Sequence, residues 1–339
     1  MRLERIAFAD VPWAELDAYA DRTIFQTREW MSFVAEAQDA EPVCAKIERD
    51  GETVGYFSGL LVRRLGLKIL GSPFPGWTTS FMGLNMNPGT PRRDALPALA
   101  EFAFRGLGCI HVEIYDPGLT AQDATDAHYG CKSTFTYQSD LTRSEDQMFS
   151  GMGKECRNKI RNAEKRGVTV EEASDLAFAD DYYAQLIEVF AKQKLTPTYG
   201  PDRVKALIRN LLPTGHLLLL RARDPAGTCI ATGIYAGVNK LAEFWGNASA
   251  KAYLHLRPNE ALHWYAMRYW KSKGLETLNW GRGEYKVKYG VVRVPVAWLS
   301  RSRFSFISSL RNGAERAFYW RRKFLARSKR DAPADVNAP

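Results

Sequence analysis

The sequence predicts a two-domain α/β protein, and three observations carry that expectation. Strand-like and helix-like runs alternate along the chain, and their order is similar in the two halves although the residues are not. At 339 residues the chain exceeds what one small core organises. Its apolar and charged fractions, 45% and 25%, are those of an ordinary globular protein.

In chain order, residues 2–8 read as a strand and 13–19 as a short helix. Thr27 is a credible cap for a helix with Glu29 and Trp30 in its first turns and Trp30, Phe33 and Val34 on its apolar side. Strands are expected over 43–49 and 53–63, separated by Asp50-Gly51, a strong hairpin signal. A strand over 67–70 leads into residues 71–80, whose two prolines, two glycines and tryptophan predict an ordered loop able to line a pocket. A helix over 91–105 and a strand over 109–115 close the first half. The second half opens on a basic helix and a strand ending at Val170, followed by helices over 175–193 and 201–212. Strands over 216–222, 228–238 and 241–245, a helix and a strand over 275–280 complete it. The boundary is expected near 140–149, giving domains 1–145 and 146–300, with 301–339 as a basic aromatic helix and a frayed tail.

The most informative stretch is 241–290. After its first strand a helix begins at Arg257-Pro258-Asn259, where proline costs nothing because its missing N–H would be unpaired anyway. Leu262, Tyr265, Ala266, Tyr269 and Trp270 recur at helical spacing, and Gly274 ends the helix just after Lys271 and Lys273. The free N–H groups of this helix start, beside Arg257, suit an anion; the same residues also make an ordinary surface helix. Within residues 151–170, the run GKECRNKIRNAEKRGVTV sets Lys154, Arg157, Lys159, Arg161, Lys165 and Arg166 against Glu155 and Glu164 only. Arg157, Arg161 and Glu164 share one side of a helix, and arginine offers phosphate a bidentate fork, although such a charge run is also a common solvated face.

These two stretches carry a resemblance. Strand, turn, helix and strand followed by WGRGEYKVKYG resemble the C-terminal half of a GNAT-type acyltransferase domain. The likeness is closer to the FemAB-like branch, which includes peptidoglycan interpeptide-bridge aminoacyltransferases and polysaccharide-associated acetyltransferases. In that branch the last core strand reads like D-x-G-R-G-x-x-x-Y-K. Gly281, Arg282, Gly283, Tyr285 and Lys286 match it, with Asn279 where an aspartate is usual and a shorter gap before the tyrosine. The basic helix ending in Gly-Val, and the run FQTREW, are similar to other parts of the branch. The resemblance covers most of 20–295 and implies tandem GNAT-like (acyl-CoA N-acyltransferase) domains, mixed sheets flanked by helices. The long helical hairpin of many bridge-forming aminoacyltransferases is missing, which favours the acyl-CoA relatives.

N-acyl transfer requires that two partners be held, an amine be relieved of a proton and an oxyanion be steadied. The resemblance implies acetyl-CoA or another acyl-CoA as co-substrate, bound at Trp245, Arg257, Pro258, Asn259 and Glu260. It implies an amine acceptor of an envelope or extracellular polysaccharide, a nucleotide- or lipid-linked sugar precursor, met by Lys154, Arg157, Arg161, Arg282 and Tyr285. Glu243, Glu284 and His263 are open as general base, and Lys286 and Lys288 are the cations for the donor carbonyl or an acceptor phosphate. Two alternatives stay open: an aminoacyl-tRNA donor acting on a peptidoglycan precursor, and a non-catalytic member of the fold that binds a phosphorylated glycan lipid.

Other classes lack support. The five histidines form no HExxH or paired metal spacing, and neither GxSxG nor GxxxxGK occurs, so no metal is expected. Five unpatterned cysteines suggest reduced thiols, the charged N-terminus has no leader-like apolar segment, and no apolar run reaches the roughly 20 residues that span a bilayer. A cytoplasmic protein is expected. Residues 301–330 hold ten Lys or Arg against the single acid Glu315 and so carry the whole net charge of +9, interleaved with large apolar side chains. That pattern suits the inner face of an anionic membrane, a helix packed on the second domain, or, third, RNA such as tRNA.

Overall fold

Polar turns and capped helix starts divide the described residues of this computed structural model, 1–192 and 194–304, into elements close to those expected. In chain order they are β1 (Arg2–Ile6), α1 (Trp13–Asp17), α2 (Arg28–Gln38), β2 (Glu41–Arg49), β3 (Glu52–Arg64), β4 (Leu67–Ser72) and β5 (Gly83–Met86). Next come α3 (Leu96–Glu101), β6 (His111–Tyr115), α4 (Ala121–Asp126), β7 (Gly130–Asp140), α5 (Glu145–Gly151), α6 (Lys154–Lys165) and β8 (Thr169–Ala173). The chain continues through α7 (Phe178–Ala191), α8 (Pro201–Leu211), β9 (Leu217–Arg223), β10 (Cys229–Val238), β11 (Leu241–Ser249), α9 (Pro258–Ser272), β12 (Thr277–Gly281) and β13 (Val292–Ser302).

Local chemistry explains several boundaries. The Thr27 hydroxyl accepts from the Trp30 amide at 3.3 Å and caps α2. Asp50 and Gly51 both take positive φ, which lets β2 and β3 close a tight hairpin. The helix expected over 91–105 is broken: only 96–101 is α-helical, with a 3₁₀ turn before it and a wider turn after it. β5, α4, β7, α5 and β13 were not expected as elements, and β11 runs on to Ser249 rather than ending at Trp245. The expectations placed on 305–339, membrane-facing or packed helix and frayed tail, lie outside the described residues. Among the described residues no helix is long and apolar enough to cross a membrane.

One sheet of mixed pairing runs through both halves in the order β1-β2-β3-β4-β6-β13-β7-β12-β11-β10-β9-β8, with β5 added on β3. From β2 to β9 this order is a palindrome of topological roles. β4 and β6 pair in parallel around α3, as β11 and β12 do around α9. The strand that follows each pair then crosses over: β7 pairs with β12 of the second half, and β13 enters between β6 and β7. Pro295 is tolerated in β13 because β6 pairs only with Trp298–Ser302, which leaves the stretch before it bonded on one side.

Alternation along the strands feeds two faces. Cys44, Leu217 and Leu219 join a core under α2, α7 and α8 that spans both halves. On the other face, Val43, Ala45 and Ile47 pack with α3 and α4, and Leu218 and Leu220 pack with α6 and α9. Leu299 of the exchanged β13 is fully buried in the first-half core. Leu299→Ala is therefore expected to lower the unfolding free energy by about 2–4 kcal/mol. Urea titration should show one transition at lower midpoint; a selective early loss of one half would argue against this stitching.

Candidate active site

β11 and β12 run parallel but pair only from Leu241–Glu243 to Thr277–Asn279, and then they part. At the parting the β10–β11 register slips, so that Trp245 is an extra residue in a bulge, a device that re-aims a side chain. Beyond it β11 is laddered on β10 alone, and its other edge, with Phe244 and Trp245, opens onto a cleft of about 490 Å³. The Trp245 indole N–H is buried without a partner among the described residues. The roof of the cleft is the loop over 74–81, as the Pro/Gly/Trp composition of 71–80 suggested, and its floor is the centre of the sheet.

Glu243, the last residue of β11 to pair with β12, is 2% exposed. Asn279 Nδ2 donates to its two carboxylate oxygens at 3.0 and 2.8 Å. The Asn279 carbonyl in turn accepts from the Thr136 hydroxyl and from the Gly281 amide at 3.3 Å. Burial pushes the Glu243 carboxyl up to about 8, against the hydrogen bonds from Asn279 and Ser80 and the charge of Lys286. Lys286 is 4% exposed; its ammonium donates to the Trp280 carbonyl and sits 4.9 Å from the centre of the Phe244 ring. Burial pushes it down to about 8, opposed by Glu243. Burial thus shifts the two groups in opposite directions, Glu243 upward behind Asn279 and Lys286 downward at the cleft lining.

The other predicted residues are dispersed. His263 is buried among Phe244, Trp280 and Tyr289, bonded to the Tyr235 hydroxyl at 2.6 Å and pushed down to about 3, so it is a neutral part of the aromatic core. Glu284 and Tyr285 are exposed on the turn after β12, Glu284 engaged by the Tyr137 hydroxyl, and Arg282 lines the cleft. Arg257 takes positive φ and Pro258 opens α9. Asn259 is bonded to Asn247 and Ser249 of β11, and Glu260 accepts from Lys288 at 2.7 Å with Lys159 at 3.9 Å. The helix start and α6 thus lie together, away from the cleft lining. On α6, Arg157 donates to the Ser150 and Met152 carbonyls and Arg161 lies over Phe149, while Lys154 is exposed. Among the described residues no group of His, Cys, Asp or Glu is arranged to hold a metal.

Residues 150–289, which contain this split pair, match the family model of the acetyltransferase (GNAT) domain. The fold is similar to that of FemX, with a TM-score of 0.69 at 14% identity over 88% of this chain and 97% of that one. A tandem GNAT protein from the clavulanic acid biosynthesis pathway gives 0.52 at 14% identity over 89% and 98%. Residues 150–289 are a GNAT-type acetyltransferase domain, and the whole chain has the fold of FemX. The C-terminal domain of a putative lysylphosphatidylglycerol synthetase from Agrobacterium fabrum also shares the fold, at a TM-score of 0.54 and 13% identity over 87% and 92%. No curated protein matches the sequence.

The first GNAT-like unit has the same split, but filled. Where β4 ends, Gly83 N–H donates to the Ser72 hydroxyl, and Asp116 accepts from the Leu84 amide at 3.0 Å. Arg92 donates to the Leu84 carbonyl at 2.6 Å and pairs with Asp116 and Asp21, and Asp21 accepts from the Met86 amide. Gly83 is required here, since a Cβ would stand 2.6 Å from an Asp116 oxygen. Sequence reasoning missed this filling and also Asn279, whose departure from the aspartate pattern was the one available signal.

A carboxyl raised from 4.5 to about 8 keeps its proton in the folded state while the unfolded chain has lost it. Glu243 therefore contributes stability that is full below about 4.5 and falls as pH rises through about 8. Glu243→Gln is expected to flatten that decline, read as urea midpoints at several pH values; equal slopes in both proteins would contradict a protonated Glu243.

Proposed function

We propose that the protein is an N-acyltransferase that takes its acyl group from acyl-CoA, acetyl-CoA foremost, and passes it to the amine of a sugar precursor of an envelope polysaccharide. The observation that carries this reading is the unpaired edge of β11 opening beside Lys286, where the first unit's equivalent edge is occupied. Free backbone N–H groups along such an edge are the donors that a tetrahedral oxyanion needs. In its neutral form Lys286 accepts the proton as the acceptor nitrogen bonds to the thioester carbon. Collapse of the intermediate then breaks the C–S bond, and the thiolate leaves and is protonated. Glu243, behind Asn279, keeps its proton and adds no charge at the gap. The start of α9, with Arg257, and the neighbouring Lys159 and Lys288 suit the donor's phosphates.

A second donor reading, aminoacyl-tRNA, is favoured by the exposed Lys154, Arg161, Lys165 and Arg166 of the α6 segment, which suit a nucleic-acid backbone; it predicts tRNA retention that weakens steeply with salt. In either reading the basic composition of 301–330 suits an anionic membrane surface where a lipid-linked acceptor would be met.

Calorimetric titration with acetyl-CoA tests the donor. Micromolar binding that weakens about tenfold in Arg257→Ala is expected, from the loss of one charge-assisted contact to phosphate. Lys286→Met should keep donor affinity and lower kcat by about 10²–10³. Absence of acetyl-CoA binding in the wild type would remove the acyl-CoA reading.

A further inference from the structure

The cleft has a second end that the transfer chemistry does not use. Along the order β6-β13-β7-β12, three strand spacings separate β6 from β12, about 14 Å at roughly 4.8 Å each. At the β6 end the rings of Tyr115 and Trp298 stack with centroids 4.7 Å apart and planes 20° apart. The Trp298 indole N–H donates to the Glu113 carboxylate at 2.9 Å. Glu113 is only 3% exposed, yet it lines the cleft together with both rings. Phe81 of the roof loop packs on Tyr115 at 5.1 Å. Glu113 pairs with Gly71 across the β4–β6 pair as Asn279 pairs with Glu243 across β11–β12, so the two units offer a polar side chain at matching places.

A half-buried indole stacked on a phenol, with a carboxylate fixed beside it, has the chemistry of a sugar-ring subsite. The apolar face of a pyranose packs on an aromatic ring, while its hydroxyls donate to an oriented carboxylate. We propose that the Glu113–Tyr115–Trp298 end binds a second sugar ring of the acceptor, so that the acceptor is an oligosaccharide chain rather than a single amino sugar. A chain reaching from Glu113 and Tyr115 on β6 to the gap at β12 must cover about 14 Å, more than one ring, and a cleft of about 490 Å³ has room for it. The position of the reacting amine rests on the N-acyl transfer proposed above; the binding of the ring does not.

The probes are glucosamine and its β-1,4-linked dimer and trimer, titrated against the full chain without donor. The dimer or trimer is expected to bind about tenfold tighter than the monomer, and Trp298→Ala to erase that preference. Glu113→Gln should weaken the longer chains about fivefold and leave the monomer unchanged. Acetyl-CoA binding should be unaffected in both variants. If Trp298→Ala lowers the melting temperature, Glu113→Gln, which keeps the side-chain volume, carries the comparison. Equal affinity for monomer and longer chains, no saccharide binding at all, or a preference that survives both substitutions would overturn the subsite. Saccharide preference without acetyl-CoA binding would remove the donor reading and keep the subsite; acetyl-CoA binding without the preference would do the reverse.

Discussion

Everything at the cleft depends on the exchange of two strands. β7 leaves the first unit to pair with β12, and β13 leaves the second to pair with β6, and the two then pair with each other from Val292 to Ser300. Neither unit can complete its sheet without the other's last strand. The floor of the cleft is therefore the middle of a continuous sheet and not a hinge between domains. Lys132, Thr134 and Thr136 reach the cleft because alternate residues of β7 share one face, and Trp298 and Ser300 of β13 do the same. The distance between the two ends of the cleft is thus a property of backbone pairing, which side-chain motion changes little.

The same split pair occurs twice with opposite outcomes, and the difference lies in how backbone donors are satisfied. A strand edge freed by the parting of a parallel pair holds N–H groups that must find partners or water. In the first unit Asp116, Arg92 and Asp21 provide them, at the cost of burying a carboxylate whose proton affinity rises by desolvation and is held down mainly by Arg92. In the second unit no such cluster stands at the gap among the described residues; instead a bulge turns Trp245, and Lys286 folds back on the Trp280 carbonyl. One unit became structure and the other kept an opening, although their topologies are equivalent.

What could be read in the sequence was local. The Thr27 cap, the Asp50-Gly51 hairpin and the succession β11, α9, β12 each declare themselves within a few residues, and Glu243 and Lys286 meet because both belong to that succession. β7 and β13 did not, since their partners are supplied by the other unit: β7 begins with exposed polar residues, and β13 contains Pro295, which argues against a strand unless one side is known to be free. Glu113 and Trp298 come together across 185 residues and could not be linked from spacing. The basic face of α6 was legible as charge but not as occupancy, because the carbonyls and the ring that engage Arg157 and Arg161 belong to the preceding helix and the turn beyond it.

Asn279 shows why a departure from a pattern can be informative. An aspartate there would set a second carboxylate against Glu243 in a site closed to water, and two buried acids so close cannot both ionise. Asparagine supplies an NH₂ group to both Glu243 oxygens and a carbonyl to Thr136 and Gly281, so its polar groups are engaged without added charge. Glu243 can then sit at the end of its pairing with β12 as a mostly protonated acid, near a lysine whose proton affinity burial lowers. The carboxyl lies behind Asn279 while Lys286 lines the cleft, so of the two titratable groups Lys286 is the one that faces the opening. The amide thus does more than fill a gap in the motif: it screens the carboxyl and leaves the lysine on the cleft side.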